Sequence, residues 1–154
     1  MKLPASVESC MTRYPTVISG KTRVSEALEL MERFQIRHLP VVDKERVIGI
    51  TSDRDLKKAA LLGCAATLVA PEFMTPEPYC VPEGTELSRV ARTMASRKFG
   101  SAVVTSRSGE VIGIFTTVDA LEALARVLEE ARQAPGRAPW KIEDILGTNY
   151  RLEM

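Results

Sequence analysis

Two stretches of this chain carry a hydroxyl and a carboxylate at one spacing. Ser52 stands three residues before Asp55 in Gly49-Ile50-Thr51-Ser52-Asp53-Arg54-Asp55, and Thr116 stands three before Asp119 in Gly113-Ile114-Phe115-Thr116-Thr117-Val118-Asp119. The stretches match at an offset of 64 residues (119 − 55). At the start of a helix this spacing is an acidic variant of the capping box. It is also a grip. Unsatisfied N–H groups and the helix dipole favour a phosphate beside the hydroxyl. One turn on, a carboxylate accepts from both hydroxyls of a ribose. Gly49 and Gly113 take away side chains where a ligand or a strand must come close. One copy alone reads as a plain N-cap with a dipole-compensating Asp; the set in both halves points to nucleotide binding at one or both.

Other chemistry is poorly supplied. The single histidine, His38, has no Ser, Cys or second His beside it in a recognisable motif, so it reads as a packing or hydrogen-bonding residue. Cys10, Cys64 and Cys80 are widely spaced and form no Cys-x-x-Cys pair, which argues for reduced thiols and against a disulfide framework or a zinc site. With 21 Lys+Arg against 20 Asp+Glu, nothing in the charge favours nucleic acid or an anionic membrane. The longest apolar run, residues 59–70, is interrupted by Gly63 and Thr67 and is too short to span a bilayer. The start, Met1-Lys2-Leu3-Pro4-Ala5-Ser6, lacks the apolar core of a signal peptide.

What must position the hydroxyls and carboxylates is a unit written twice. Met11-Thr12 opens one copy and Met74-Thr75 the other, and Met31 and Met94 repeat at the same offset of 63 (74 − 11). A unit of about 60 residues buries too little surface to stand alone, so the two copies are expected to share a core. Each reads strand, helix, strand, strand, helix. In copy one, Thr16-Val17-Ile18 is a strand; Val24, Ala27, Leu28 and Met31 form one helical face, with Thr22 or Ser25 as its cap. Leu39-Val41-Val42 and Val47-Ile48-Gly49-Ile50 make a hairpin turned at Asp43-Lys44-Glu45-Arg46, and Ser52 caps a helix that stops near Gly63. In copy two the elements are Tyr79-Cys80-Val81, the face Leu87, Val90, Ala91 and Met94, a hairpin turned at Ser106-Arg107-Ser108-Gly109, and a long helix capped by Thr116 with Leu121, Leu124 and Leu128 on one stripe. Ala134-Pro135-Gly136-Arg137-Ala138-Pro139 is a linker by composition. Beyond it, Ile142-Glu143-Asp144-Ile145-Leu146-Gly147 weakly echoes Val7-Glu8-Ser9-Cys10-Met11-Thr12, as a remnant opening segment or an unrelated tail.

These residues resemble the CBS domain family, named after cystathionine β-synthase. The resemblance rests on the Met-Thr openings, on Ile36-Arg37-His38-Leu39-Pro40-Val41-Val42-Asp43, and on the closing segments that end in Asp55 and Asp119; it spans residues 7–130. A tandem pair of this kind is similar to a complete Bateman module. That implies an α+β fold, a pseudo-two-fold pair of βαββα motifs packed through their sheets, with motifs at 1–67 and 68–132 and a linker and tail at 133–154. It also implies a homodimer formed through the helices.

In adenine-nucleotide-binding members each cleft is shared: the hydroxyl and carboxylate come from one copy, the base-facing strand residues from the other. Carried over position by position, the resemblance implies one site of Thr116 and Asp119 with Thr16, Ile36, Arg37, His38 and Pro40, where Arg37 meets phosphate through a charge-assisted fork. The other joins Ser52 and Asp55 to Pro78, Phe99, Gly100 and Ser101, with Arg54 as its cation. Val118 replaces Arg54 in copy two and Gly100 replaces Arg37, so the sites are not equivalent. The Asp119 site ranks first because its strand side keeps the Arg-His-Leu-Pro run.

The function implied is regulatory and not enzymatic, since the clefts lack a nucleophile–base pair. A cytoplasmic module that requires no cofactor is expected to take AMP, ADP, ATP or S-adenosylmethionine as a regulatory ligand. It would signal to an effector protein by population shift, with hinges in 61–71 and before each Met-Thr. The competing reading is a structural dimerisation or adaptor module with empty clefts.

Overall fold

The computed structural model describes residues 6–133; the linker and tail read above lie outside the described residues. A 3-10 turn at Val7–Ser9 leads into β1 (Thr12–Arg13), β2 (Ile18–Ser19), α1 (Val24–Phe34), β3 (His38–Asp43), β4 (Arg46–Ser52) and α2 (Asp53–Leu61). The second half repeats this as α3 (Ala70–Phe73), β5 (Thr75–Pro76), β6 (Cys80–Pro82), α4 (Leu87–Arg97), β7 (Ser101–Thr105), β8 (Val111–Thr116) and α5 (Thr117–Gln133). The fold is the α+β pair that the repeat implied.

The helical faces follow their spacing. Val24, Ala27 and Met31 are buried on α1, and Leu87, Val90 and Met94 on α4. The cap of α1 differs from the expectation of Thr22 or Ser25. The Thr22 hydroxyl accepts instead from the Ser19 N–H (3.2 Å), and Glu26 reaches back to the Arg23 N–H (2.8 Å). The N–H groups of Val24 and Ser25 donate to the carbonyls of Leu68 and Ala65, so the orphan donors of this helix start are met by backbone. On α5 the expected leucine stripe is not the buried one. Ala123 and Ala131 face the core, while Leu121 and Leu124 are 64% and 52% exposed.

The sheets do not follow the order of the repeats. One has the order β1-β8-β7-β6 and the other β2-β3-β4-β5. Each Met-Thr segment, which the sequence reading left outside the strands, is therefore added to the sheet of the other copy. Thr12 pairs with Ile114, and Thr75 with Ile50. The residues just before these strands cross over in the same sense, with antiparallel bridges from Ser6 to Glu86 and from Val69 to Arg23. Met11 lies over Gly113 and Met74 over Gly49, so that a Cβ built on either glycine would overlap the methionine sulfur. The chain then passes to its own sheet through Tyr14-Pro15 and Glu77-Pro78, with Tyr14 and Glu77 both at φ 49°. A left-handed conformation is uncommon for residues other than glycine and is further restricted before proline.

Strand pairing sorts the faces. Leu39 with Thr51 and Val41 with Gly49 face the helices of the first unit; Ala102 with Phe115 and Val104 with Gly113 face those of the second. Pro40, Val103 and Ile114 point the other way, are buried, and belong to neither helix-side cluster. The opposing sheet covers them, and the two sheets pack face to face. Arg46 and Glu110, equivalent positions of the two hairpins, bridge directly.

At one core position the halves differ in polarity. Thr51 is fully buried where copy two has Phe115, and among the described residues its hydroxyl has no hydrogen-bond partner. An unmet buried hydroxyl costs about 1–3 kcal/mol. Thr51→Val is expected to raise the denaturant-unfolding free energy by about 1 kcal/mol; a loss would show that the hydroxyl is satisfied. Gly113→Ala is expected to cost about 1–3 kcal/mol by overpacking and Met11→Ala about 2–5 kcal/mol by leaving a cavity. The double variant should cost less than the sum of the two single costs, and strict additivity would remove the methionine–glycine contact.

Candidate functional site

Both hydroxyl–carboxylate pairs form as capping boxes at helix starts. Asp55 Oδ2 accepts from the Ser52 N–H (3.1 Å) and hydroxyl (2.6 Å). Asp119 Oδ2 accepts from the Thr116 N–H and hydroxyl, both at 2.7 Å. In each pair the helical Asp N–H donates back to the hydroxyl oxygen at 3.3 Å. Both cap bonds fall on Oδ2, so neither cap bond uses Oδ1. All four residues are half-buried, open enough to be reached from the cleft.

The strand-side residues converge on the same end of the sheets. His38 pairs with Ser52 across β3 and β4, and Ser101 with Thr116 across β7 and β8. The Asp53 N–H donates to the Arg37 carbonyl, and the Thr117 N–H to the Gly100 carbonyl, binding each helix start to the neighbouring strand start. The two copies meet here. A Cβ on Gly100 would stand 2.9 Å from His38 Nε2, so the histidine ring fills the space that a side chain at 100 would need. Gly100 stands where copy one has Arg37, and this close approach explains the glycine. His38 thus lies between the two helix starts, paired with Ser52 and, through Gly100, next to Thr117.

The walls differ in kind. Tyr79 stacks on Phe99 with ring centroids 5.5 Å apart, next to Pro78 and Gly100. The equivalent positions in copy one, Thr16 and Ile36, offer no ring, and no hydrogen bond joins Thr16 to Thr116 or Asp119 among the described residues. Pro40 is fully buried. Arg37 and Arg54 are exposed, and among the described residues neither is in an ion pair. Lys57 is held by Asp53 at 3.0 Å, and this contact keeps the Asp53 carboxyl below its ordinary range.

Two participants were missed. Tyr79 was read only as a strand residue. Thr12 was read only as half of the Met-Thr repeat, yet its hydroxyl donates to Asp119 Oδ1 at 3.5 Å. The repeat marked Thr12 as special; its partner depends on the crossing of β1 to β8, which no local pattern reveals.

Comparison with known proteins agrees with this architecture. Residues 7–62 and 69–126 each match the family model of the CBS domain. AcuB from Vibrio cholerae is 30% identical with a TM-score of 0.78, over 85% of this chain and 99% of that one. CBSX2 from Arabidopsis thaliana, solved in complex with AMP, is 29% identical with a TM-score of 0.71, over 80% of this chain and 98% of that one. Inosine-5'-monophosphate dehydrogenase from Aquifex aeolicus is 33% identical over 114 residues, 73% of this chain, but the match spans only 23% of the dehydrogenase.

His38 carries a pH signature. Burial lowers its pKa below 6.5, Asp53 and Asp55 oppose that shift, and Arg37 adds to it. Above pH 6.5 the ring is neutral in folded and unfolded chains alike and contributes no slope. As pH falls through 6.5 the unfolded chain takes up the proton first, so stability declines until the folded ring also protonates. Unfolding free energies from pH 7.5 down to 5 should show this decline, and His38→Gln should flatten it; an equal slope in the variant would assign the decline to other groups.

Proposed function

This chain belongs to the CBS domain family as a tandem pair, and from that premise we propose that it is a regulatory module that binds an adenosyl nucleotide in the clefts between its two copies. The observation that carries the reading is the duplicated carboxylate. Asp55 and Asp119 are each fixed through one oxygen by a helix-start hydroxyl and N–H, and the second oxygen, which carries only the long Thr12 contact at Asp119, is the one to meet ribose hydroxyls. The helix start beside Ser52 or Thr116 suits a phosphate. Arg37 and Arg54, in no ion pair among the described residues, supply the cations for a polyphosphate or another charged tail. The AMP in the structure of CBSX2, a relative of the same fold and family, supports an adenine nucleotide as the ligand.

The reading assigns no catalytic step and no resident cofactor. A ligand that touches both copies favours one angle between the sheets, and the shift in population is what an effector protein would sense. The exposed Val118, Leu121 and Leu124 on α5 suit a second copy of this chain, which makes the module a homodimer.

A thermal-shift panel of AMP, ADP, ATP, S-adenosylmethionine and NAD, with GTP as control, tests the reading. At a hundredfold excess over Kd a ligand adds about 2.7 kcal/mol. One or more adenosyl compounds should raise the midpoint and GTP should not. Asp55→Ala and Asp119→Ala should each weaken binding at their own cleft by about tenfold or more, the scale of hydrogen bonds to a charged group. A flat panel would favour a structural dimerisation or adaptor module whose clefts stay empty.

A further inference from the structure

The two carboxylates are not equally free. Asp55 Oδ2 carries both cap bonds, and no hydrogen bond reaches its Oδ1 among the described residues. Asp119 Oδ2 carries the same two bonds, but its Oδ1 also accepts from the Thr12 hydroxyl. Thr12 belongs to the segment that copy one adds to the sheet of copy two. That segment is seated by Val7 and Met11 in the core, by the Val7 N–H on the Thr85 carbonyl (2.9 Å) and by the Tyr14 N–H on the Ile112 carbonyl (3.0 Å). Among the described residues its counterpart Thr75, on the sheet of copy one, makes no such bond to Asp55.

A carboxylate offers about four lone-pair sites. At Asp55 two are taken, and two remain for the two hydroxyls of a ribose. At Asp119 three are taken, one too few remain, and the bond to yield is the longest, at 3.5 Å against 2.7 Å for the cap bonds. We propose that Thr12 is a positioning residue that couples the Asp119 cleft to the opening segment: a ribose binds there by displacing the Thr12 hydroxyl, and so loosens residues 6–13, while the Asp55 cleft fills with no such effect. This rests on the nucleotide-binding reading and adds its output. Occupancy of one cleft is converted into release of a strap, and the same contact holds the Asp119 cleft at lower affinity when the strap is seated.

Hydrogen exchange and calorimetry on the whole chain, with AMP as the probe, test the coupling. In nucleotide-free protein, Thr12→Val should speed exchange of the Met11 and Tyr14 amides about threefold. Asp119→Ala should do the same, and the double variant should add nothing further. Thr75→Val should leave the Met74 amide unchanged. Independent effects of Thr12 and Asp119 would overturn the contact whether or not AMP binds. With AMP, the wild type should lose protection at Met11 and Tyr14 but not at Met74, and Thr12→Val should bind AMP about three- to tenfold more tightly at the cleft that Asp119→Ala abolishes. Unchanged or weaker binding in Thr12→Val would overturn the displacement. AMP affinity insensitive to both Asp119→Ala and Asp55→Ala would instead overturn the nucleotide reading, with the exchange result still standing on its own.

Discussion

The crossing of the two Met-Thr segments is the constraint on which the rest depends. Met11 on Gly113 and Met74 on Gly49 stitch each copy to the sheet of the other. This contact unites two sequence features that look unrelated. The glycine of the closing motif is small because a methionine from the other half lies on it, and the strand that carries it runs directly into Ser52 or Thr116. The packing contact therefore sits on the same strand as the hydroxyl and carboxylate and fixes where that helix begins. A shift of either opening segment moves a sheet edge and the helix start together.

Within this symmetric frame the halves have diverged in chemistry. Thr51 corresponds to Phe115, Arg37 to Gly100, and Thr16 and Ile36 to the stacked Tyr79 and Phe99. These differences fall in the core, at the cation and along the wall, while the capping box is kept in both. The frame sets two helix starts with the same cap. The substitutions give copy two a stacked pair of rings, and the Asp119 carboxylate alone takes a hydroxyl from a distant segment among the described residues. Copies of one motif thus offer unequal sites without any change of fold.

Much of this was legible in the residues. The apolar positions of α1 and α4 fell where a 3.6-residue period put them, and the Ser52 and Thr116 caps formed with Asp55 and Asp119 as their spacing required. What was not legible is what depends on the other half. The α1 cap went to the Leu68 and Ala65 carbonyls and to Glu26, because another segment arrives there. Gly49 and Gly113 were seen to mark a close approach, but only the topology shows that a methionine makes it. His38 was separated from Gly100 in the sequence reading, and the sheet-to-sheet packing put them side by side. Local periodicity carries the elements; contacts between segments far apart along the chain, 25 residues for Met74 on Gly49 and more for the others, decide their partners.

The crossed segments have a consequence for how such a chain can arise. One half alone has a glycine with no methionine to cover it and an opening strand with no edge to join. Two separate halves would satisfy each other by reciprocal exchange, each lending its first residues to its neighbour. A single motif built on this plan would need a second chain to complete it. Within one polypeptide the exchange is intramolecular, and a short tether stands in for a concentration-dependent association. The two copies can then differ position by position, as Arg37 and Gly100 do.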